Sequence, residues 1–185
     1  MNGAAKISRD ELSQAMQEAR LLEAPPPDAA LAWIDLFLEA YGAEGVSLDE
    51  ALQRVHALRA EAVTVPALEL ERLRSRDVLF FLDAVGQYVD DQAELRGLPL
   101  EHDLRAIASE FGLPAEAARE AVRMALTGES HGPPLELLFP LLGHERIMIR
   151  IGAISSRLLH GRGLEPIKYG PDGKPFEPLR GRRSS

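Results

Sequence analysis

PLEHDLRAIASEFGLPAEAAREAVRMALTG, residues 99–128, reads as two short helices with their punctuation in place. Pro99 stands where a first helical turn has no amide donor to lose. Leu100, Leu104, Ile107 and Phe111 recur at helical spacing, and Gly112 follows where the backbone must turn left-handed. Pro114 opens a second helix, which runs to about Gly128.

Downstream, His131-Gly132-Pro133-Pro134 forms a stiff loop before a short helix over Leu135 to Leu142, which Pro140 is expected to end or kink. Gly143 resets the chain, and a last helix over His144 to His160 turns Ile147, Ile151, Ile154 and Leu158 inward. After Gly161 the periodicity stops. Lys168 to Lys174 reads as a turn in an extended tail that finishes in Arg180, Arg182 and Arg183.

Upstream, Ser8-Arg9-Asp10-Glu11 is a capping box, and Leu12, Ala15, Met16, Ala19 and Leu22 continue one helical face until Pro25-Pro26-Pro27 stops it. Asp28 to Tyr41 carries a stripe of Leu31, Ile34, Leu38 and Tyr41, with Trp33, Leu36 and Phe37 making its other side apolar. Such a helix is buried in the fold or covered by a partner. Ser47-Leu48-Asp49-Glu50 is a second capping box, with Leu48, Leu52, Val55 and Leu58 on the face that follows. Beyond Pro66 the chain is helical again, with a break near Ser75 and a stripe of Val78, Leu82, Val85 and Val89. No segment alternates with period two. The expected fold is therefore all-α, a multi-helix bundle of two small subdomains at 1–97 and 98–160 with an irregular basic tail at 161–185.

Composition removes whole classes of chemistry. With no cysteine there is no disulfide, thiolate metal site or thiol nucleophile. His56, His102, His131, His144 and His160 show no paired ligand spacing, so each reads as a surface or capping histidine. Ser155-Ser156 near His160 lacks a carboxylate in register to orient an imidazole. No cofactor or metal is called for. No run approaches the ~20 apolar residues of a membrane span, and Met1 to Arg20 has no secretion core, so the cytosol is the expected location. The net charge of −8 is uneven: residues 1–141 hold 12 Lys/Arg against 25 Asp/Glu, and residues 142–185 hold 9 against 4. A polyanion is thus drawn to the C-terminal end rather than to the body.

The stretches Val122-Arg123-Met124-Ala125-Leu126-Thr127-Gly128, Gly132-Pro133-Pro134-Leu135-Glu136-Leu137-Leu138 and Leu141-Leu142-Gly143-His144-Glu145-Arg146 resemble, in order and spacing, the end of bacterial glutamyl-tRNA synthetases. There an Arg-x-Ala-Leu-Thr-Gly helix end leads into a Pro-Gly-Leu helix and a Leu-Leu-Gly-Lys-Glu turn. The resemblance is strongest from about Leu95 to His160 and implies a tRNA-anticodon-binding domain, which reads unstacked bases with a rigid loop, an apolar platform and a positioned guanidinium. By similarity the site residues are Arg123, Gly132, Pro133 and Leu135, with Arg146 and Arg150, one helical turn apart, as phosphate contacts. Two positions depart from the family: Gly132 stands where a Thr is frequent, and His144 replaces a Lys.

The catalytic signatures of the His-Ile-Gly-His and Lys-Met-Ser-Lys types are absent from the sequence, whose only lysines are Lys6, Lys168 and Lys174. The chain is therefore expected not to be an enzyme by itself. It is expected to bind tRNA weakly alone, as a split or accessory synthetase subunit beside a catalytic partner. The alternative is a helical protein–protein interaction module that kept the fold and lost RNA binding. A DNA-reading helix-turn-helix over Leu104 to Ala125 is disfavoured, because Glu116 and Glu120 offset Arg119 and Arg123 on its second helix.

Overall fold

The computed structural model describes residues 6–42 and 45–160, which form eight helices and no strand. The basic tail expected at 161–185 lies outside the described residues. The first helix, α1 (Arg9–Glu18), starts at the expected capping box: the Ser8 N–H and hydroxyl both donate to the Glu11 carboxylate. It ends earlier than the apolar spacing implies, because Arg20 takes a left-handed conformation (φ 58°) before the prolines are reached. Helix α2 spans Asp28–Tyr41, and α3 (Leu48–Arg59) opens on the second capping box, between Ser47 and Glu50. A short α4 (Ala67–Arg72) precedes α5 (Arg76–Asp90), whose first turn is capped by the Ser75 hydroxyl accepting from the Val78 N–H. Helix α5 stops at Asp90, one residue past the last of its apolar stripe, Val89.

In the second half, α6 (Leu100–Glu110) and α7 (Ala115–Thr127) follow Pro99 and Pro114; Gly112 takes the left-handed conformation foreseen for it, and Gly128, where the second helix was expected to end, takes one too. On α6 it is Leu100, Leu104 and Ala108 that are buried, while Ile107 and Phe111 are only half-buried. Helix α8 (Leu135–His160) runs through Pro140 without ending there. The chain breaks at Gly143 instead (φ 74°, ψ 164°), a conformation that glycine adopts at no steric cost.

Buried side chains from both sides of the 97/98 division belong to one contiguous core. At its centre α5 lays Val78, Leu82, Val85 and Val89 against α8, where Ile147, Ile151, Ile154 and Leu158 are all buried as their spacing required. The apolar sides of α2 are accounted for inside the molecule. Leu36 and Phe37 are buried, Trp33 stacks on Phe37, and the Trp33 indole N–H donates to the Leu141 carbonyl (2.9 Å), tying α2 to α8 just before the Gly143 break. No helix among the described residues is long and apolar enough to cross a membrane.

Candidate nucleic-acid interface

The turn between α7 and α8 is built by its own polar groups. The Gly128 N–H donates to the Met124 carbonyl, the Thr127 hydroxyl donates to the Arg123 carbonyl (2.9 Å), and the Glu129 N–H donates back to the Thr127 hydroxyl (3.2 Å). Close approach fixes the glycine at 128: a Cβ there would lie 2.6 Å from the Thr64 carbonyl oxygen. At the far end of the turn the Pro134 carbonyl accepts from the Leu137 and Leu138 N–H groups and starts α8. Gly132, exposed at the tip, has φ 147°, a region open to glycine and strained for other residues.

Arg123 and Pro133 are brought together: the Arg123 Nη1 donates to the Pro133 carbonyl, pinning the turn to α7. A Cβ on Gly132 would sit 3.6 Å from the same nitrogen. Burial pulls the Arg123 guanidinium below the usual arginine range, and nearby Arg119 pulls the same way while Glu136 opposes it. Arginine stays charged under such shifts. The groove on this side also holds Glu101 and Glu136, and Glu101 pairs with Arg119 at 3.5 Å. Pro133 and Leu135 are themselves buried, so they shape the turn from within and do not offer an open platform.

The two arginines expected on phosphates separate. Arg146 is half-buried, with its Nε donating to the Arg59 carbonyl (3.3 Å) and its Nη1 near the Leu142 carbonyl (3.4 Å). Arg150 corrects the sequence-based assignment. It is 2% exposed, and its Nη atoms donate to the carbonyls of Leu126, Ala57, Leu58 and Ala60, so it caps the C-terminal ends of α7 and α3 and reaches no solvent phosphate. Burial also lowers the pKa of this guanidinium, and Arg146 adds to the effect.

On the other side of the turn lies a cleft of about 280 Å³ whose walls include Tyr41, Arg54, Thr127, His131 and Gly132. Arg54 lies over the Tyr41 ring, 5.1 Å from its centroid. None of Tyr41, Arg54 and His131 was singled out by the sequence as part of a site, because they come from three distant segments and carry no local motif. Among the described residues no group of three or more His, Asp or Glu side chains could hold a metal ion.

A family model described as an anticodon binding domain matches residues 28–154. The chain belongs to the anticodon-binding-domain family. The match begins at Asp28, so the family unit takes in α2 to α5 as well as the region around the turn. This anticodon-binding domain is 27% identical over 142 residues to a glutamate-tRNA ligase of Listeria monocytogenes, which covers 74% of the chain and 28% of that relative. It is 26% identical over 132 residues to the glutamate-tRNA ligase of Desulfitobacterium hafniense, covering 71% of the chain and 27% of the relative. A shorter stretch of 46 residues is 46% identical to glutamate-tRNA ligase 2 of Acidiphilium cryptum, 25% of the chain and 10% of the relative. The anticodon-binding domain thus spans little more than a quarter of the length of the longer-matching relatives.

Proposed function

We propose that the chain binds tRNA, with the turn from Gly128 to Pro134 meeting unstacked anticodon bases. Arg123 and Gly132 make the contact, Pro133 and Leu135 set the shape of the turn beneath them, and Arg146 on α8 meets a phosphate. The observation that carries this reading is the Arg123–Pro133 hydrogen bond, which holds an exposed Gly132 tip in a fixed shape beside a guanidinium, within a domain of the anticodon-binding family. Leu135 and Pro133 act from beneath by fixing that shape.

In this reading the chain supplies anticodon contact, and aminoacylation chemistry comes from a catalytic partner. The chain works as a split or accessory part of a synthetase. The competing reading, a protein-interaction module, drew on the acidic body, the apolar sides of α2 and the tail; of these, Ile34, Leu36 and Phe37 of α2 are buried in the protein's own packing, while Trp33 is only partly so.

Filter binding of bulk tRNA at low salt tests the proposal. Retention should be weak and fall steeply with added salt, since few cations take part. Arg123→Ala, Arg146→Ala and removal of residues 161–185 should each weaken it. No retention by the wild-type chain, or unchanged affinity in all three variants, overturns the reading.

A further inference from the structure

Three of the five exposed large hydrophobic side chains among the described residues, Phe80, Met148 and Ile149, lie on the two helices that centre the core. These helices, α5 and α8, run antiparallel. The His144 Nε2 lies 2.8 Å from the Gln92 carbonyl oxygen at one end of the pair, and a Cβ on Gly86 would touch Met148 and Ile151 at 3.8 Å farther along. On α5, Arg76, Phe80, Asp83, Gln87 and Asp91 fall on one exposed stripe. On α8, Glu145, Ile149, Gly152 and Ser156 do the same.

Charge divides this outer face lengthwise. At one end, where α5 begins and α8 finishes, Arg76 lies over the Phe80 ring, 5.2 Å from its centroid, and Arg157 is exposed. At the other end Asp90, Asp91 and Glu145 are all exposed, and among the described residues none of them has an ion-pair partner. Asp90 and Asp91 also stand at the negative end of the α5 dipole, with no basic residue in its last turn, a placement that an incoming cation would relieve. A face with a basic end, an apolar middle and an acidic end is complementary to itself once a second copy is turned end for end. In that arrangement Arg76 meets Asp91 of the second copy, and α8 crosses its own copy at Gly152, where a Cβ would meet nothing within 4 Å. The other two-fold turn, which lays α5 on α8, would bring like ends together.

We propose that the outer face of α5 and α8 docks onto the same face of a second copy of this chain, turned end for end about a two-fold axis beside Asp83 and Gly152. The 15 residues of α5 make this face about 22 Å long, and two helices make it about 20 Å wide. Each copy thus offers about 450 Å², short of the roughly 800 Å² per partner of a standard interface, so the dimer is weak and reversible. Asp83 facing its own copy near the axis weakens it further. Phe80, Ile149 and the terminal charges take no part in the proposed RNA contact.

Sedimentation equilibrium of the full chain, without RNA and over a wide range of concentrations at low salt, tests the proposal. The wild type should pass reversibly from monomer to dimer as its concentration rises, and added salt should weaken the dimer. Ile149→Glu acts twice in a two-fold interface, so a tenfold loss at each copy should raise the dissociation constant about a hundredfold. Arg76→Glu and Asp91→Arg should each weaken self-association, and both suit the α5 dipole, so the fold survives them. Mixing those two variants should restore the dimer, since every opposed pair is again of unlike charge. Asp83→Asn should tighten it. Thermal melts establish that each variant folds, and the mixing arm stands should Ile149→Glu not fold.

A wild type that stays monomeric throughout overturns the proposal. So does a monomer that pairs only after residues 161–185 are removed, which would put the chain's own tail on this face. A mixture of Arg76→Glu and Asp91→Arg that associates no better than either alone sinks the end-for-end arrangement, and with it the proposal. None of these outcomes bears on the tRNA reading, which filter binding decides separately.

Discussion

Arg150 and Leu126 meet where two helix ends converge: the buried Arg150 Nη1 donates to the Leu126 carbonyl in the last turn of α7, while its Nη2 serves Ala57 (2.7 Å) and Leu58 (3.2 Å) near the end of α3. Helix C-termini carry partial negative charge and unsatisfied carbonyls, so one guanidinium answers both needs at two helices. The turn that follows α7 thereby inherits a fixed starting point.

Replacing Arg150 with Met should therefore cost about 3 kcal/mol, because several buried carbonyls lose their partner at once. Arg150→Lys should recover less than half of the loss, since an ammonium cannot span both helix ends as a planar fork does. Urea denaturation near neutral pH measures both. A loss within about 1 kcal/mol for Met would mean that water replaces the guanidinium at little cost.

Gly128 and Gly112 make a matched pair. Both have positive φ, 79° and 67°, but a Cβ at 128 would meet the Thr64 carbonyl oxygen at 2.6 Å, whereas one at 112 would meet nothing within 4 Å. Gly112→Ala should cost only the conformational strain, about 1 kcal/mol. Gly128→Ala should cost more, on the order of 2–3 kcal/mol, because two backbone segments must part. Equal melting temperatures for the two variants would refute the close approach.

The helices were legible because their signals are local. Ser8 and Ser47 with their glutamates, Pro99 and Pro114, and Gly112 and Gly128 each act within a few residues, and the structure keeps all of them. The family was legible too, since its motif is an ordered local string. Burial was not: Arg146 and Arg150 share one helix face, yet only packing against α3 makes Arg150 a buried cap. Nor does any string bring Tyr41, Arg54 and His131 to one cleft. The end of α1 escaped for a related reason, as the left-handed Arg20 answers to the return of the chain: the Leu21 N–H donates to the Met16 carbonyl at 2.8 Å.

Acid should weaken the two capping boxes. Hydrogen bonds from the Ser8 hydroxyl and then its N–H hold the Glu11 carboxylate below the usual range, and the Ser47 N–H and then its hydroxyl do the same for Glu50. A carboxylate whose pKa is depressed by folding stabilises the protein above its unfolded pKa, and that contribution is lost as the pH falls through the folded value. The double variant Glu11→Gln, Glu50→Gln should be less stable than wild type above about pH 4.3, with the difference closing in more acidic solution. Denaturation curves that stay equally far apart at both ends of that window would sink the account.

Alkali should act through Tyr88. Its hydroxyl donates to Asp103 at 2.7 Å, joining α5 to α6, and burial first and this hydrogen bond second raise the phenol above its ordinary pKa. The neutral phenol is the form that folding favours, so the contribution is complete below the unfolded pKa and fades as the pH climbs from there toward the folded value. Tyr88→Phe should cost about 1 kcal/mol near neutral pH, and the gap should narrow above about pH 10, where the unfolded tyrosine ionises and the native one does not. Stability curves in urea across that range measure the gap, and ultraviolet titration should find a tyrosine, lost in Tyr88→Phe, that resists ionisation until unfolding. A gap that widens with pH would mean that the phenolate, not the phenol, is the favoured form beside Asp103.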